Sequence, residues 1–216
     1  PLPSIDAFTA TLRQLGISND TQVVAYDTMS GVYGGRLWWM LRWLGHDKVA
    51  VLDGDFRLWE REGRPTTSGN ETRGSSTFAA SPRDDMQLSI SEVMTNLETK
   101  RYQLFDARDE ARFRGESAGM DPRAGHIPGA KSAFYAHNLD ADGKFLPSEQ
   151  LHQRFAELLD GADPAETVWY CGSGVSVHHD LIAMELAGFS RGAKVYIGSW
   201  SDWSGNQDLP IESDVE

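Results

Sequence analysis

The chain has 216 residues, 40% of them hydrophobic and 24% charged, a balance that supports a packed core and excludes wholesale disorder. With 20 Lys+Arg against 32 Asp+Glu, its net charge of −12 disfavours partners that are gripped by clustered cations, so neither nucleic acid nor a membrane surface is expected. No apolar run approaches the roughly 18 residues of a membrane-spanning helix, and the single cysteine, Cys171, excludes an intrachain disulfide and a Cys-rich zinc site and suits a reducing compartment such as the cytoplasm.

A repeat organises the chain. Leu2-Pro3-Ser4 recurs as Leu146-Pro147-Ser148, Val24 and Tyr26 as Val168 and Tyr170, Met40 as Met184, Gly54 as Gly198 and Trp59 as Trp203, every pair 144 residues apart. One offset shared by separated places predicts two copies of one domain. The expected organisation is a first copy over residues 1–64, a linker over 65–85 and a second copy over 86–216. Features of the second copy at Asp106 and Gly125 would have mates before Pro1. The first copy is therefore expected to lack its first strand and the following turn, and a segment upstream of Pro1 is expected in the same protein.

In chain order, Trp38, Trp39 and Trp43 share a helix with Met40 and Leu44 and read as packing residues. The stretch Gly63 to Asp85, with Pro65-Thr66-Thr67-Ser68-Gly69-Asn70 and Gly74-Ser75-Ser76, has almost no apolar periodicity and reads as the linker. Tyr102 to Phe105 is a short β-rich run; Asp106 and Arg108 after it suggest a structural ion pair or a turn role. His126, before Ile127-Pro128-Gly129, is expected to hydrogen-bond nearby backbone. Ser148 to Leu159 opens with Ser148 as an expected N-cap and sets Leu151, Phe155, Leu158 and Leu159 on one helical face. Thr167 to Tyr170 reads as a buried strand. Ser176 to Ala187 follows as a helix with Gly188 at its C′ position, and Lys194 to Ile197 as a last strand. Adjacent helical residues point about 100° apart, so His178 and His179 do not suit one metal ion. Asp202, Asp208, Glu212, Asp214 and Glu216 read as a solvated acidic tail. Alternating strands and helices imply an α/β fold with largely parallel sheets flanked by helices.

The chemistry concentrates at Val168-Trp169-Tyr170-Cys171-Gly172-Ser173-Gly174-Val175-Ser176, which is a strand, a lone thiol, a Gly-rich turn and a helix start. Open α/β sheets place ligands at such strand ends. Consecutive backbone N–H groups in the turn and the positive end of the helix favour an anion there, and so favour the thiolate. The bland reading of Cys171 is a small buried hydrophobe. A Cys-x5-Arg phosphatase loop fails because Val177 stands where its arginine would be.

Four segments, in order, carry a resemblance: Asp106-Ala107-Arg108 with Ala111-Arg112-Phe113-Arg114-Gly115; Gly125-His126-Ile127-Pro128-Gly129-Ala130; Cys171-Gly172-Ser173-Gly174-Val175-Ser176; and Tyr196-Ile197-Gly198-Ser199-Trp200-Ser201-Asp202-Trp203. With them the chain resembles the tandem-domain rhodanese-type sulfurtransferases, most closely their 3-mercaptopyruvate branch. The resemblance implies tandem rhodanese-like domains and a catalytic cysteine, Cys171, in the second only. The 144 offset agrees, since the mate of Cys171 is Asp27. It implies attack by Cys171 on a sulfur donor to leave a persulfide, then transfer of the outer sulfur to cyanide or a thiol such as thioredoxin or a small thiol, with no cofactor and no metal. Members that favour thiosulfate carry positive side chains after the cysteine, whereas Gly172-Ser173-Gly174 is neutral. Arg112 matches the family arginine that meets the substrate carboxylate. Arg123 is the nearest match to a second such arginine, with Arg114 as the alternative. Gly172, Gly174, Val175 and Ser176 would line the donor, and Ser173 would supply a catalytic hydroxyl whose His and Asp partners would fall before Pro1. Thiosulfate as donor, or a slow persulfide carrier or regulatory binding module, are the competing readings.

Overall fold

A computed structural model describes residues 1–215 as two units, Leu2–Asp84 with Ala141–Lys144, and Asp85–Asp140 with 145–215, to which Pro1 also belongs. In the first unit, α1 (Ile5–Gln14) starts where the Ser4 hydroxyl accepts the Ala7 N–H, and it buries Phe8 and Leu12. Strands β1 (Val23–Ala25) and β2 (Val49–Val51) pair in parallel, with α2 (Val32–Trp43) as the crossover. Trp38, Trp39 and Trp43 on α2 are buried in this unit's core, as expected, Trp39 stacking on Trp43 at 6.1 Å. Helix α3 (Phe56–Arg61) begins at Asp55, whose carboxylate accepts the Leu58 N–H.

The second unit opens with α4 (Ile90–Thr99), held by a capping box between Ser89 and Glu92. There follow β3 (Gln103–Asp106), α5 (Glu110–Arg114), β4 (Lys131–Ser132), α6 (Ser148–Leu159), β5 (Thr167–Tyr170), α7 (Val177–Leu186), β6 (Lys194–Val195) and α8 (Ser199–Gly205). The sheet is parallel throughout in the order β4-β3-β5-β6. Central β5 is buried along its length, as a parallel strand covered on both faces must be. Val168 and Tyr170 join Leu104, Ile127, Trp200 and Trp203 in one core cluster, while Trp169 stacks on Phe105 at 4.3 Å. Helix α7 ends at Gly188 (φ 82°) with the Gly188 and Phe189 N–H groups bonded back to Glu185 and Met184, a Schellman turn.

The repeat holds element by element: α1, β1, α2, β2 and α3 match α6, β5, α7, β6 and α8 at the 144-residue offset to within two residues. β3, α5 and β4 have no counterpart in the first unit among the described residues. The consequence is visible on β1. Val24 and Tyr26 are 56% and 61% exposed, whereas their mates Val168 and Tyr170, covered by β3, are fully buried.

Four expectations need correction. Ser148 is the first residue of α6 and Pro147 the cap position, with no side-chain cap bond; proline there supplies a fixed φ but no hydroxyl. The expected linker is no loose tether, since residues 65–84 belong to the first unit. Phe78 is 1% exposed, its carbonyl accepts from Arg13, Asn19 bonds Ala79 both ways, and Ser81 and Arg83 donate to the carbonyls that end α2. The last strand stops at Val195 because Tyr196 and Ile197 turn into α8. The acidic residues are not all solvated: Asp202 accepts the Tyr196 hydroxyl at 2.7 Å. Glu212 bridges to His126 through backbone and accepts the Gly129 N–H, while Glu216 lies outside the described residues.

Candidate active site

Cys171 follows directly on β5, at the carboxyl end of the central strand, and is 1% exposed. Its N–H donates to Ser199 Oγ at 3.2 Å, and its carbonyl and that of Gly172 accept the N–H groups of Trp200 and Ser201. The loop is thus tied to the start of α8. Ser199 sits at φ 56° with its hydroxyl 3.0 Å from the Tyr196 carbonyl and 4.0 Å from Cys171 Sγ, so its one proton can serve either acceptor. Sequence reasoning gave Ser199 no role, although it lies inside the segment quoted for the resemblance.

The loop presents donors rather than acceptors. Helix α7 starts without a side-chain cap, and the N–H groups of Gly172, Ser173, Val175, Ser176 and Val177 find no acceptor among the described residues. The first copy shows what this turn does with an anion. There, Asp27 Oδ1 accepts the N–H groups of Met29 and Gly31 at 2.7 and 3.0 Å, and Oδ2 those of Tyr33 and Gly34 at 2.7 and 2.8 Å. At the 144-residue offset three of these donors are Ser173, Val175 and Val177, and the left-handed Ser30 (φ 54°) corresponds to the left-handed Gly174 (φ 71°). Both turns are anion nests; one holds a carboxylate of its own and the other carries a thiol.

Arg112, on α5, reaches this loop: a Cβ built on Gly172 would lie 3.0 Å from one terminal guanidinium nitrogen and 3.5 Å from the other. One of those nitrogens donates to Asp121 Oδ2 at 2.6 Å, and Nε is buried with no hydrogen-bond acceptor among the described residues. Arg123 is bound to backbone elsewhere. Its guanidinium donates to the carbonyls of Trp203, Ser204, Asn206 and Leu209, which engages four of its five N–H groups at the carboxyl end of α8. Arg114 pairs with Glu110 and Glu116 on the surface. Ser173 is exposed and Gly172, Val175 and Ser176 are partly so, with Gly174 buried beneath them.

Below the loop, Asp106 and Arg108 form the expected ion pair, buried and fork-like, with Arg108 also bonded to the Gly125 carbonyl. Burial alone would lower the Arg108 pKa, but Asp106 holds it raised. Tyr170, packed beside them, is pushed well up, by burial first and then by the Asp106 charge. His126 lies with Nδ1 2.8 Å from the Phe113 carbonyl, as expected of a structural histidine. His178 and His179 are buried on α7, His179 stacked on Phe145, and no metal-binding cluster occurs among the described residues.

Comparison with known proteins agrees with this architecture. The rhodanese-like domain family matches residues 1–62 and 89–206. A probable 3-mercaptopyruvate sulfurtransferase of Pseudomonas aeruginosa is 42% identical over 98% of this chain and 74% of its own length. A thiosulfate sulfurtransferase of Bos taurus is 36% identical over 94% of this chain and 69% of its own. Among solved structures, SseA from Escherichia coli, described under 3-mercaptopyruvate sulfotransferases, superposes with a TM-score of 0.78 at 29% identity, covering 93% of this chain and 74% of that one. The Tum1 protein from Saccharomyces cerevisiae superposes at 0.84 and 26% identity, covering 100% and 77%. With two matched segments, a thiol-bearing nest in one copy and a carboxylate-filled nest in the other, the chain belongs to the rhodanese-like sulfurtransferases.

Proposed function

We propose that this chain takes sulfur from 3-mercaptopyruvate onto Cys171 and passes it to a thiol or cyanide acceptor. The Cys171 thiolate attacks the donor's thiol sulfur. An S–S bond forms as the C–S bond breaks, the electron pair passes to carbon as an enolate, and protonation of the enolate gives pyruvate. The acceptor thiolate then attacks the outer sulfur and returns Cys171 as thiolate. The observation that carries the reading is the unfilled row of loop N–H groups at Ser173, Val175 and Val177, whose mates hold the Asp27 carboxylate in the first copy. The same donors would stabilise a negatively charged outer sulfur.

Arg112 beside Gly172 would receive the donor carboxylate, with Gly174 and Ser176 shaping the turn. Ser173 would offer a hydroxyl to the leaving enolate, without a base of its own in the described residues. Because Cys171 is 1% exposed, a bulky acceptor such as thioredoxin would meet the outer sulfur rather than Sγ, and a small thiol would enter more easily. Among the described residues no helix is long and apolar enough to cross a membrane, and the persulfide chemistry would suit a reducing compartment such as the cytoplasm. The neutral Gly172-Ser173-Gly174 loop favours mercaptopyruvate over thiosulfate, the donor named for several relatives.

The test is a single turnover with each donor, following intact mass and released pyruvate or sulfite. Gain of one sulfur atom with matching pyruvate, absent in Cys171→Ser, is expected. Sulfur gained from thiosulfate alone would replace the donor, and no gain from either would overturn the reading.

A further inference from the structure

The cation placed against the Cys171 loop is already half spoken for. Arg112 donates to Asp121 Oδ2 at 2.6 Å; Asp121 is 5% exposed, and its other oxygen accepts the Ser201 hydroxyl at 2.6 Å. Ser201 N–H in turn bonds the Gly172 carbonyl at 2.8 Å, so Arg112, Asp121, α8 and the loop form one closed circuit. Arg112 is also gripped sterically. A Cβ on Gly172 would come within 3.0 Å of its guanidinium and a Cβ on Gly119 (φ 61°) within 3.2 Å of its Nε. Yet Asp121 engages only one N–H of the five, so the guanidinium keeps hydrogen-bonding capacity while its charge is balanced.

We propose that Asp121 is a specificity-determining residue: by neutralising Arg112 it fits the site to a donor carrying one carboxylate and sets it against a compact dianion. The inference rests on the sulfurtransferase reading above. A neutral Arg112–Asp121 pair offers a carboxylate directional N–H groups with little net field, whereas a dianion gains most from an uncompensated cation and is repelled by Asp121 at short range. The loop adds no charge to change this, since Gly172-Ser173-Gly174 is neutral and Arg123 and Arg114 are committed elsewhere.

The test compares persulfide formation at Cys171 from 3-mercaptopyruvate and from thiosulfate in wild type, Asp121→Asn and Ser201→Ala, at low and high salt. Asp121→Asn keeps the shape and a carbonyl for Ser201 but removes the charge. It is expected to raise the thiosulfate-to-mercaptopyruvate ratio of kcat/KM by about tenfold, roughly one pKa unit's worth of differential interaction, and the gain should shrink with salt. Ser201→Ala leaves the charge in place and should move both donors together. Equal losses for both donors in Asp121→Asn, or a ratio change insensitive to salt, would overturn the proposal and leave Asp121 as a structural clamp. Absence of persulfide in wild type with either donor would instead remove the reading on which it rests.

Discussion

At the scale of single residues, the second unit keeps a buried acid close to its chemistry. Asp180, on the first turn of α7, is fully buried. Its Oδ1 accepts from Asn138 at 2.7 Å, while Oδ2 finds no hydrogen-bond donor among the described residues. Burial pushes its pKa up to about 7, opposed by the Arg154 charge and the Asn138 hydrogen bond and reinforced by Asp106; His179 lies 3.4 Å from the same Asn138 amide. The folded pKa stands above the unfolded value of 3.8, so the native state binds more protons. Stability contributed at this position therefore falls as pH rises from about 4 to about 7 and levels off above. Asp180→Asn, which has no proton to lose, should gain on wild type across that window by at most about 1.4 kcal/mol per pH unit. Paired urea titrations at pH 4, 5.5 and 7.5 would show it; a difference independent of pH would refute the assignment.

The strand, turn and helix that carry Cys171 are where sequence and structure agree most closely, and the reason is chemical. Gly172, Gly174 and a β-rich run ending in a lone thiol constrain the local backbone so tightly that few other arrangements satisfy them. Arg112, singled out by the resemblance alone, stands beside Gly172 in the structure. The hydrogen bonds of Arg123 are not legible in sequence, because its partners are carbonyls some 80 residues away, a tertiary choice no local pattern announces. Asp121 and Ser199 likewise carry no local signal, since what distinguishes them is which atoms they meet. Ser148 illustrates the converse: the same Leu-Pro-Ser motif caps α1 through Ser4 but not α6. The paired nests yield an element-scale prediction. Asp27→Ala strands four loop N–H groups and should destabilise the first unit by about 1–3 kcal/mol, with Asp27→Asn, which keeps one acceptor, costing less. Amide exchange at residues 29, 31, 33 and 34 should quicken in the same order, and unchanged exchange would show that Asp27 does not hold the turn.

For the molecule as a whole, duplication supplies an internal control that few proteins offer, because identical residues occupy equivalent places in differently completed sheets. Val24 and Val168 both sit mid-strand at the repeat offset, yet β1 pairs only with β2, while β5 runs between β3 and β6. Exposure is 56% for Val24 and 0% for Val168. A residue's contribution follows from the apolar area withdrawn from water rather than from its identity, about 25 cal/mol for each Å². Val168→Ala should therefore cost about 2 kcal/mol through lost burial and the cavity left in the Leu104, Tyr170 and Trp200 cluster. Val24→Ala should cost no more than about 0.5 kcal/mol. Because the chain forms two units, each variant should be read in its own unit's transition, by urea unfolding followed through amide probes assigned to each half. Equal costs at the two valines would mean that β1 is covered in solution by something that pairs with its outer edge. A cost confined to Val168 would mean that the edge is open to water and that Tyr26, 61% exposed beside it, is available to the next strand that arrives.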